Sequence, residues 1–181
     1  RNALAARQAS TQEALDCLGA DADAFSTVLA RAVQAYVVRR DDGCTVIAGY
    51  PWFLDWGRDT LICARGLLAA GLHDEVRDLL TVFGRFAEDG TLPNCIHGED
   101  ASNRDTSDAP LWYGILAEDA AALMGEELYA HQVDRHGRRL VDVLGIIARG
   151  YRDGTANGIG MDPASGLVFS PSHFTWMDTN Y

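Results

Sequence analysis

TLICARGLLAAGLHDEVRDLLTVFGRFA, residues 60–87, reads as two helices set back to back. Residues 60–70 are apolar almost all round, through Leu61, Ile62, Ala64, Leu67 and Leu68, and a helix of that kind is expected to be buried. Gly71 ends it, because glycine takes the left-handed conformation that closes a helix. Residues 73–87 put Val76, Leu79, Leu80, Phe83 and Phe86 on one stripe, with charges opposite. So short a connection packs the two helices antiparallel as a hairpin. An apolar helix beside an amphipathic one suits an inner and an outer layer, and the expected fold class is all-α, built from such hairpins.

Upstream lies GYPWFLDWGRD, residues 49–59. Core segments seldom carry two carboxylates and an arginine, and ordinary loops seldom carry large aromatics. Pro51 and Gly57 fix a bent backbone. Trp52, Phe53 and Trp56 offer flat apolar faces beside Asp55, Arg58 and Asp59. That combination suits a sugar ring, with its apolar C–H faces and rim of hydroxyls; the plainer alternative is a buried loop in which Arg58 pairs with a neighbouring aspartate. Before it, residues 24–38 read as an amphipathic helix with Phe25, Val28, Leu29, Ala32, Ala35 and Tyr36 on its apolar face, and Asp21 or Asp23 as its cap. Residues 3–18 read as a further helix with a weak stripe. Asp41–Gly43 is a turn, and residues 44–48 a short strand or extended piece leading into the aromatic loop.

Downstream, residues 88–107 form a long polar stretch, expected to be structureless and functional. Residues 108–124 and 128–150 are expected helices, the second clearest at Leu140, Val143, Leu144, Ile147 and Tyr151. Residues 159–162 and 167–169, separated by Pro163-Ala164-Ser165-Gly166, read as a β-hairpin. No fixed repeat period runs through the chain.

Four tracts now stand in order: GYPWFLDWGRDT (49–60), DGTLPN (89–94), TSDAPLW (106–112) and FTWMD (174–178). Together they resemble the signature of the amylo-α-1,6-glucosidase domain of bacterial and archaeal glycogen debranching enzymes, over about residues 44–181. Residues 1–43 carry no such motif. The resemblance implies a glucoamylase-like (α/α)6 toroid of concentric hairpins with the site at one mouth. About half of its helices are visible here. Residues 1–181 are therefore expected to be one partial catalytic domain, truncated at both ends, and Arg1-Asn2-Ala3 starts without an initiator methionine. Left without the missing hairpins, residues 60–70 and 111–124 would expose apolar surface, so self-association of the fragment is expected, without hydrolase activity of its own.

Glycoside hydrolysis takes two carboxyl groups, an acid that protonates the leaving oxygen and, in inverting enzymes, a base that deprotonates water. The resemblance implies inversion, release of glucose from an α-1,6 branch stub, and Asp178 as a member of the catalytic site. Asp178 follows Trp176, and an apolar wall keeps a carboxyl protonated, so Asp178 is the candidate general acid. The partner carboxylate is expected beyond Tyr181. Asp55, Arg58 and Asp59 are candidate sugar clamps; Asp59 has helix capping as an alternative. Asp108 is a further clamp, with the same alternative. Asn94 is a candidate for hydroxyl contacts or for ending a turn, and Trp52, Trp56 and Trp112 for stacking on glucose or for filling core. Two departures from the family pattern are Thr179 in place of alanine and Asp105 in place of asparagine, which leaves Asp105 a minor candidate.

Composition sets limits on this reading. The chain has 181 residues, 48% apolar and 23% charged, with a net charge of −11. That charge argues against nucleic acid and suits a neutral polar ligand, here glycogen or an α-glucan oligosaccharide. No apolar run has membrane length, and there is no signal peptide. Cys17, Cys44, Cys63 and Cys95 lie far apart, which excludes a disulfide framework and fits a cytoplasmic protein. The histidines are scattered, so no metal and no cofactor is expected. Two other functions remain open: another toroid glycosidase of trehalase or glucoamylase type, and a non-catalytic helical module that binds polysaccharide.

Overall fold

A Schellman turn after residue 70 fixes the hairpin on which the fold is built. In the computed structural model, which describes residues 2–19 and 23–177, Gly71 has φ 78°. Its N–H donates to Leu68 O at 3.1 Å, and the Leu72 N–H donates to Leu67 O at 3.0 Å. Both bonds of the motif are therefore present. A Cβ on Gly71 would also come within 2.5 Å of Cys17 Sγ, so the first helix packs against this corner.

The elements run α1 (Asn2–Cys17), α2 (Ala24–Ala35), β1 (Val37–Arg40), β2 (Gly43–Val46), β3 (Asp55–Trp56), α3 (Gly57–Ala69), α4 (His73–Arg85), β4 (Cys95–Ile96), α5 (Ala109–Met124), a 3-10 turn (Glu126–Ala130), α6 (Leu140–Asp153), β5 (Gly160–Met161) and β6 (Val168–Phe169). The chain is mostly helical, with three two-stranded antiparallel ladders, β1–β2, β3–β4 and β5–β6. The sequence led to one β-hairpin; β5–β6 is that one, paired Gly160↔Phe169 and Met161↔Val168.

One core joins α3, α4, α5 and α6. Leu61, Leu67, Val76, Leu79, Leu80, Phe83, Tyr113, Leu116, Leu140 and Val143 are buried together. The Tyr113 hydroxyl meets its hydrogen-bonding need inside this core by donating to Leu80 O at 2.7 Å. Gly84 leaves the room for it, since a Cβ there would lie 2.6 Å from the Tyr113 oxygen.

Helices α3 and α5 lie side by side and run parallel. Their first residues meet, a Cβ on Gly57 falling 3.3 Å from Ala109 Cβ. Further along, Arg65 pairs with Asp119 at 2.6 Å. Helix α4 returns antiparallel to α3, which makes α3–α4 a two-layer unit with α5 beginning the next.

Several expectations are corrected. Residues 60–70 are not buried all round: Ile62, Arg65, Gly66 and Ala69 form an exposed strip, and on α5 Leu111, Ile115 and Leu123 are exposed. Residues 24–38 do not form one helix. α2 ends at Ala35, and Val37-Val38, β-branched and poor in a helix, pair with Val46 and Thr45 across a turn in which Asp41 has φ 50°. Asp23 does cap α2, its Oδ1 accepting from the Ser26 N–H at 2.8 Å; Asp21 lies outside the described residues. The helix turns Ala30 inward, while Phe25 is 71% exposed and Val28, Leu29 and Tyr36 are exposed with it. Residues 128–150 are split as well, because Asp134 Oδ1 accepts from the His136 and Arg138 N–H groups and forms a turn before α6. The polar stretch 88–107 is ordered, with β4 and the bridges Glu88↔Thr91 and His97↔Asp100.

Phe83 is fully buried at the centre of the α3–α4–α5 contact. Phe83→Ala is expected to lower the free energy of unfolding by about 3–5 kcal/mol through lost burial and the cavity left behind. Urea titration followed by circular dichroism measures this; a loss below 1 kcal/mol would mean that the hairpins do not share this core.

Candidate active site

The aromatic loop is closed by its own backbone. Ala48 and Phe53 exchange bonds with one another's neighbourhood, the Ala48 N–H donating to Leu54 O and the Phe53 N–H to Ala48 O, each at 3.2 Å. Gly49 has φ 54°, and a Cβ there would strike the Phe53 ring at 2.4 Å, so only glycine lets the ring fold over the chain. Trp52 stands at the tip, 81% exposed.

From this loop the chain passes through β3 into α3, and the second tract meets it there. Asp55 pairs with Ile96 and Trp56 with Cys95. The Gly57 N–H, an unpaired donor of the first helical turn, donates to Asn94 O at 2.9 Å. A Cβ on Gly57 would lie 2.8 Å from Pro93 O, so the approach needs glycine.

The third tract joins through a charge pair. Arg58 donates from Nε to Asp108 Oδ2 at 2.5 Å and from its terminal nitrogen to Oδ1 at 2.9 Å, a two-toothed fork. Both side chains are mostly buried. Asp108 thus stands at the N-cap position of α5 without capping the helix through its side chain. That work falls to Thr106, whose Oγ1 accepts from the Ala109 N–H at 3.3 Å and donates to Asp108 Oδ1 at 3.0 Å.

The fourth tract is tied to the third. Phe174 O accepts from the Ser107 N–H at 2.7 Å and from its hydroxyl at 3.2 Å. The Tyr151 hydroxyl donates to Ser107 O. Four tracts far apart in sequence therefore meet around the first turns of α3 and α5. Asp178, the candidate acid, lies outside the described residues. Trp176, two positions before it, is exposed.

Beside this junction opens a cavity of about 320 Å³, lined mainly by Tyr36, Ala48, Gly49, Arg58, Asp59, Ile62 and Cys63. Its size is at the small end for ligand pockets. Asp59 is exposed in the first turn of α3, which begins at Gly57 rather than Thr60, so Asp59 is not its cap. Asp59 makes no ion pair among the described residues. Its charge and burial together hold the Cys63 thiol above its usual pKa, burial being the larger cause. Two grooves well above this size lie elsewhere. One, of about 580 Å³, carries Asp89 and Gly90 but no other motif residue. The other, of about 750 Å³, is lined by Arg85, Arg138 and Asp134, which are engaged in ion pairs.

The sequence-derived candidates thus separate. Arg58 and Asp59 line the cavity, with Asp108 locked to Arg58. Asn94 is half-buried and contributes its backbone. Trp56 is half-buried on β3. Trp112 is packed against the core with the Arg65 guanidinium carbon 6.0 Å from its ring centroid. Asp105 is exposed, its N–H on Asn103 Oδ1. Asp55 is only 3% exposed and accepts from Arg40 at 2.8 Å, so its oxygens face the interior and not a ligand. Burial raises its carboxyl pKa, and the Arg40 charge opposes that rise. Sequence reasoning passed over Tyr36 and Ile62, which it read as helix faces, Cys63, which it read only as one of four separated thiols, and Arg40, which it did not single out.

The domain is mostly helical, with an arginine and a carboxylate in a cavity beside exposed aromatics. The model of the family described as amylo-alpha-1,6-glucosidase matches residues 31–181, and the chain belongs to that family. No curated protein and no solved structure matches it. Among the described residues, no helix is long and apolar enough to cross a membrane, and no group of three or more His, Cys, Asp and Glu side chains is placed to hold a metal ion.

Gly57→Ala forces apart the Pro93 carbonyl and the start of α3. Overpacking of this kind costs about 1–3 kcal/mol, and thermal unfolding is expected to show it. Gly66→Ala, on the same helix with open space around its Cα, serves as the control and should be neutral or stabilising. Equal effects at the two positions would refute the close approach.

Proposed function

We propose that this domain hydrolyses α-1,6-linked glucose at branch stubs of glycogen or a related α-glucan, by inversion. What supports the reading is the meeting of the four tracts at one junction, in a chain of the amylo-α-1,6-glucosidase family. In this reading Arg58 and Asp59 hold the hydroxyls of the terminal glucose. Asp108 occupies two of the five N–H donors of Arg58 and so presents the rest in a fixed direction. Trp52 and Trp176 supply flat surfaces at the rim. Asp178 protonates the glycosidic oxygen as the bond to the anomeric carbon breaks. A second carboxylate takes the proton of the attacking water. Asp55 and Asp108 do not suit that second role, because each is held by an arginine.

The parallel α3 and α5, with α4 returning between their ends, are the arrangement expected of inner and outer layers in an α/α toroid. We take residues 1–181 as one part of such a domain. Ile62, Leu111 and Ile115, exposed here, would then face further hairpins.

The test uses the full-length protein with glycogen limit dextrin, trehalose and maltose as substrates. Glucose release from limit dextrin, first as the β-anomer, is expected. Asp178→Asn should lower kcat by about 10²–10⁴-fold with little change in KM, since proton donation acts in the transition state. Arg58→Ala should raise KM as well. Cleavage of trehalose alone would overturn the substrate assignment, and near-normal kcat in Asp178→Asn would remove that residue from catalysis.

A further inference from the structure

Arg40 lies on β1, outside every motif tract, yet its side chain reaches two distant segments. One terminal nitrogen donates to Asp55 Oδ2 at 2.8 Å, the other to Gly98 O. The side chains of Arg40 and Asp55 are 16% and 4% exposed. Asp55 stands three residues before Arg58, and what joins them is rigid. β3 is paired to β4, and Gly57 is wedged against Pro93 O. A displacement of Asp55 therefore passes to Arg58 and Asp59 without a flexible joint to absorb it.

We propose that Arg40 is a positioning residue: by holding Asp55 and the Gly98 carbonyl together, it sets where Arg58 and Asp59 enter the cavity. This rests on reading that cavity as the α-glucan site. The guanidinium fits the task because its two nitrogens serve two acceptors at a fixed angle, which a lysine cannot do. It also supplies the charge that Asp55 needs. A buried carboxylate without a partner takes up a proton or displaces its surroundings. The groups that face Asp55 are Arg40 on β1, the Thr45 hydroxyl on β2 and the Cys95 thiol on β4; the Asp41 carboxylate lies 3.9 Å from Arg40 Nε. Arg40 is the one cation among them.

The sign of the pH effect follows. Burial raises the folded-state pKa of Asp55, so its ionisation weakens the fold as pH rises above the ordinary carboxylate value. Arg40 offsets that loss. Without Arg40 the loss is larger, and the gap in melting temperature between the wild type and Arg40→Met should be smallest near pH 4 and widen toward pH 7.

The experiment uses the full-length protein as wild type, Arg40→Met, Arg40→Lys and Arg40→Met/Asp55→Asn. Melting is followed against pH, the Arg58 Nε–H resonance by ¹⁵N NMR, and isomaltose binding by calorimetry. Arg40→Met is expected to shift or broaden the Arg58 signal at neutral pH and to weaken isomaltose by about tenfold or more, since small misplacements at a site are costly. Acid should reverse part of the shift. Arg40→Lys should recover part of the affinity, and the double variant most of it, because removing both charges leaves none buried alone. An unmoved Arg58 signal in Arg40→Met, or a defect that neither acid nor Asp55→Asn relieves, would overturn the proposal. If wild type ignores isomaltose while Arg40→Met still displaces the Arg58 signal, the glucan reading falls and the positioning role stands.

Discussion

The forked pair between Arg58 and Asp108 is the contact on which the junction depends. It joins the first turn of one helix to the residue before another, across a gap where both helices begin. Each helix N-terminus carries partial positive charge, and here two lie side by side. Asp108 answers the Arg58 guanidinium and the Thr106 hydroxyl at once. Asn94 O and Thr106 Oγ1 take up the N–H groups of Gly57 and Ala109.

Much of the scaffold was written in local chemistry. The Gly71 stop, the Asp23 cap, the stripe of α4 and the Pro163–Gly166 turn each depend on residues within a turn or two, and each formed as read. What local pattern could not supply was direction. Phe25, Val28, Leu29 and Tyr36 make a correct helical stripe on α2, but the face that packs is the one with Ala30, where small size permits close approach to Ala14 and Ala70. Periodicity reports that two faces differ; which one meets a neighbour depends on the neighbour. The β1–β2 hairpin was missed for a related reason. Val37 and Val38 continue a helical period, and only pairing with Val46 and Thr45 makes them a strand.

The site was legible as composition and not as contact. Tryptophans, aspartates and an arginine within eleven residues marked residues 49–59, yet nothing in that string says that Asp55 turns in toward Arg40 while Asp59 turns out. Asp108 read equally well as a cap, because capping is a local habit of aspartate before an apolar helix. Arg58, fifty residues away, overrules it.

The bonds between Ser107 and Phe174 have a consequence for how the domain assembles. The α3–α4 hairpin needs contacts only between sequence neighbours and can form early. The junction needs residues 55–58, 93–96, 106–109 and 174 to meet, with a separation of 67 residues in the last link. Loop closure over that distance carries an entropic cost that only the finished core offsets. The junction should therefore be among the last features to appear during folding. It should also be among the first to dissolve when the segment after α6 opens, while the helices around it persist.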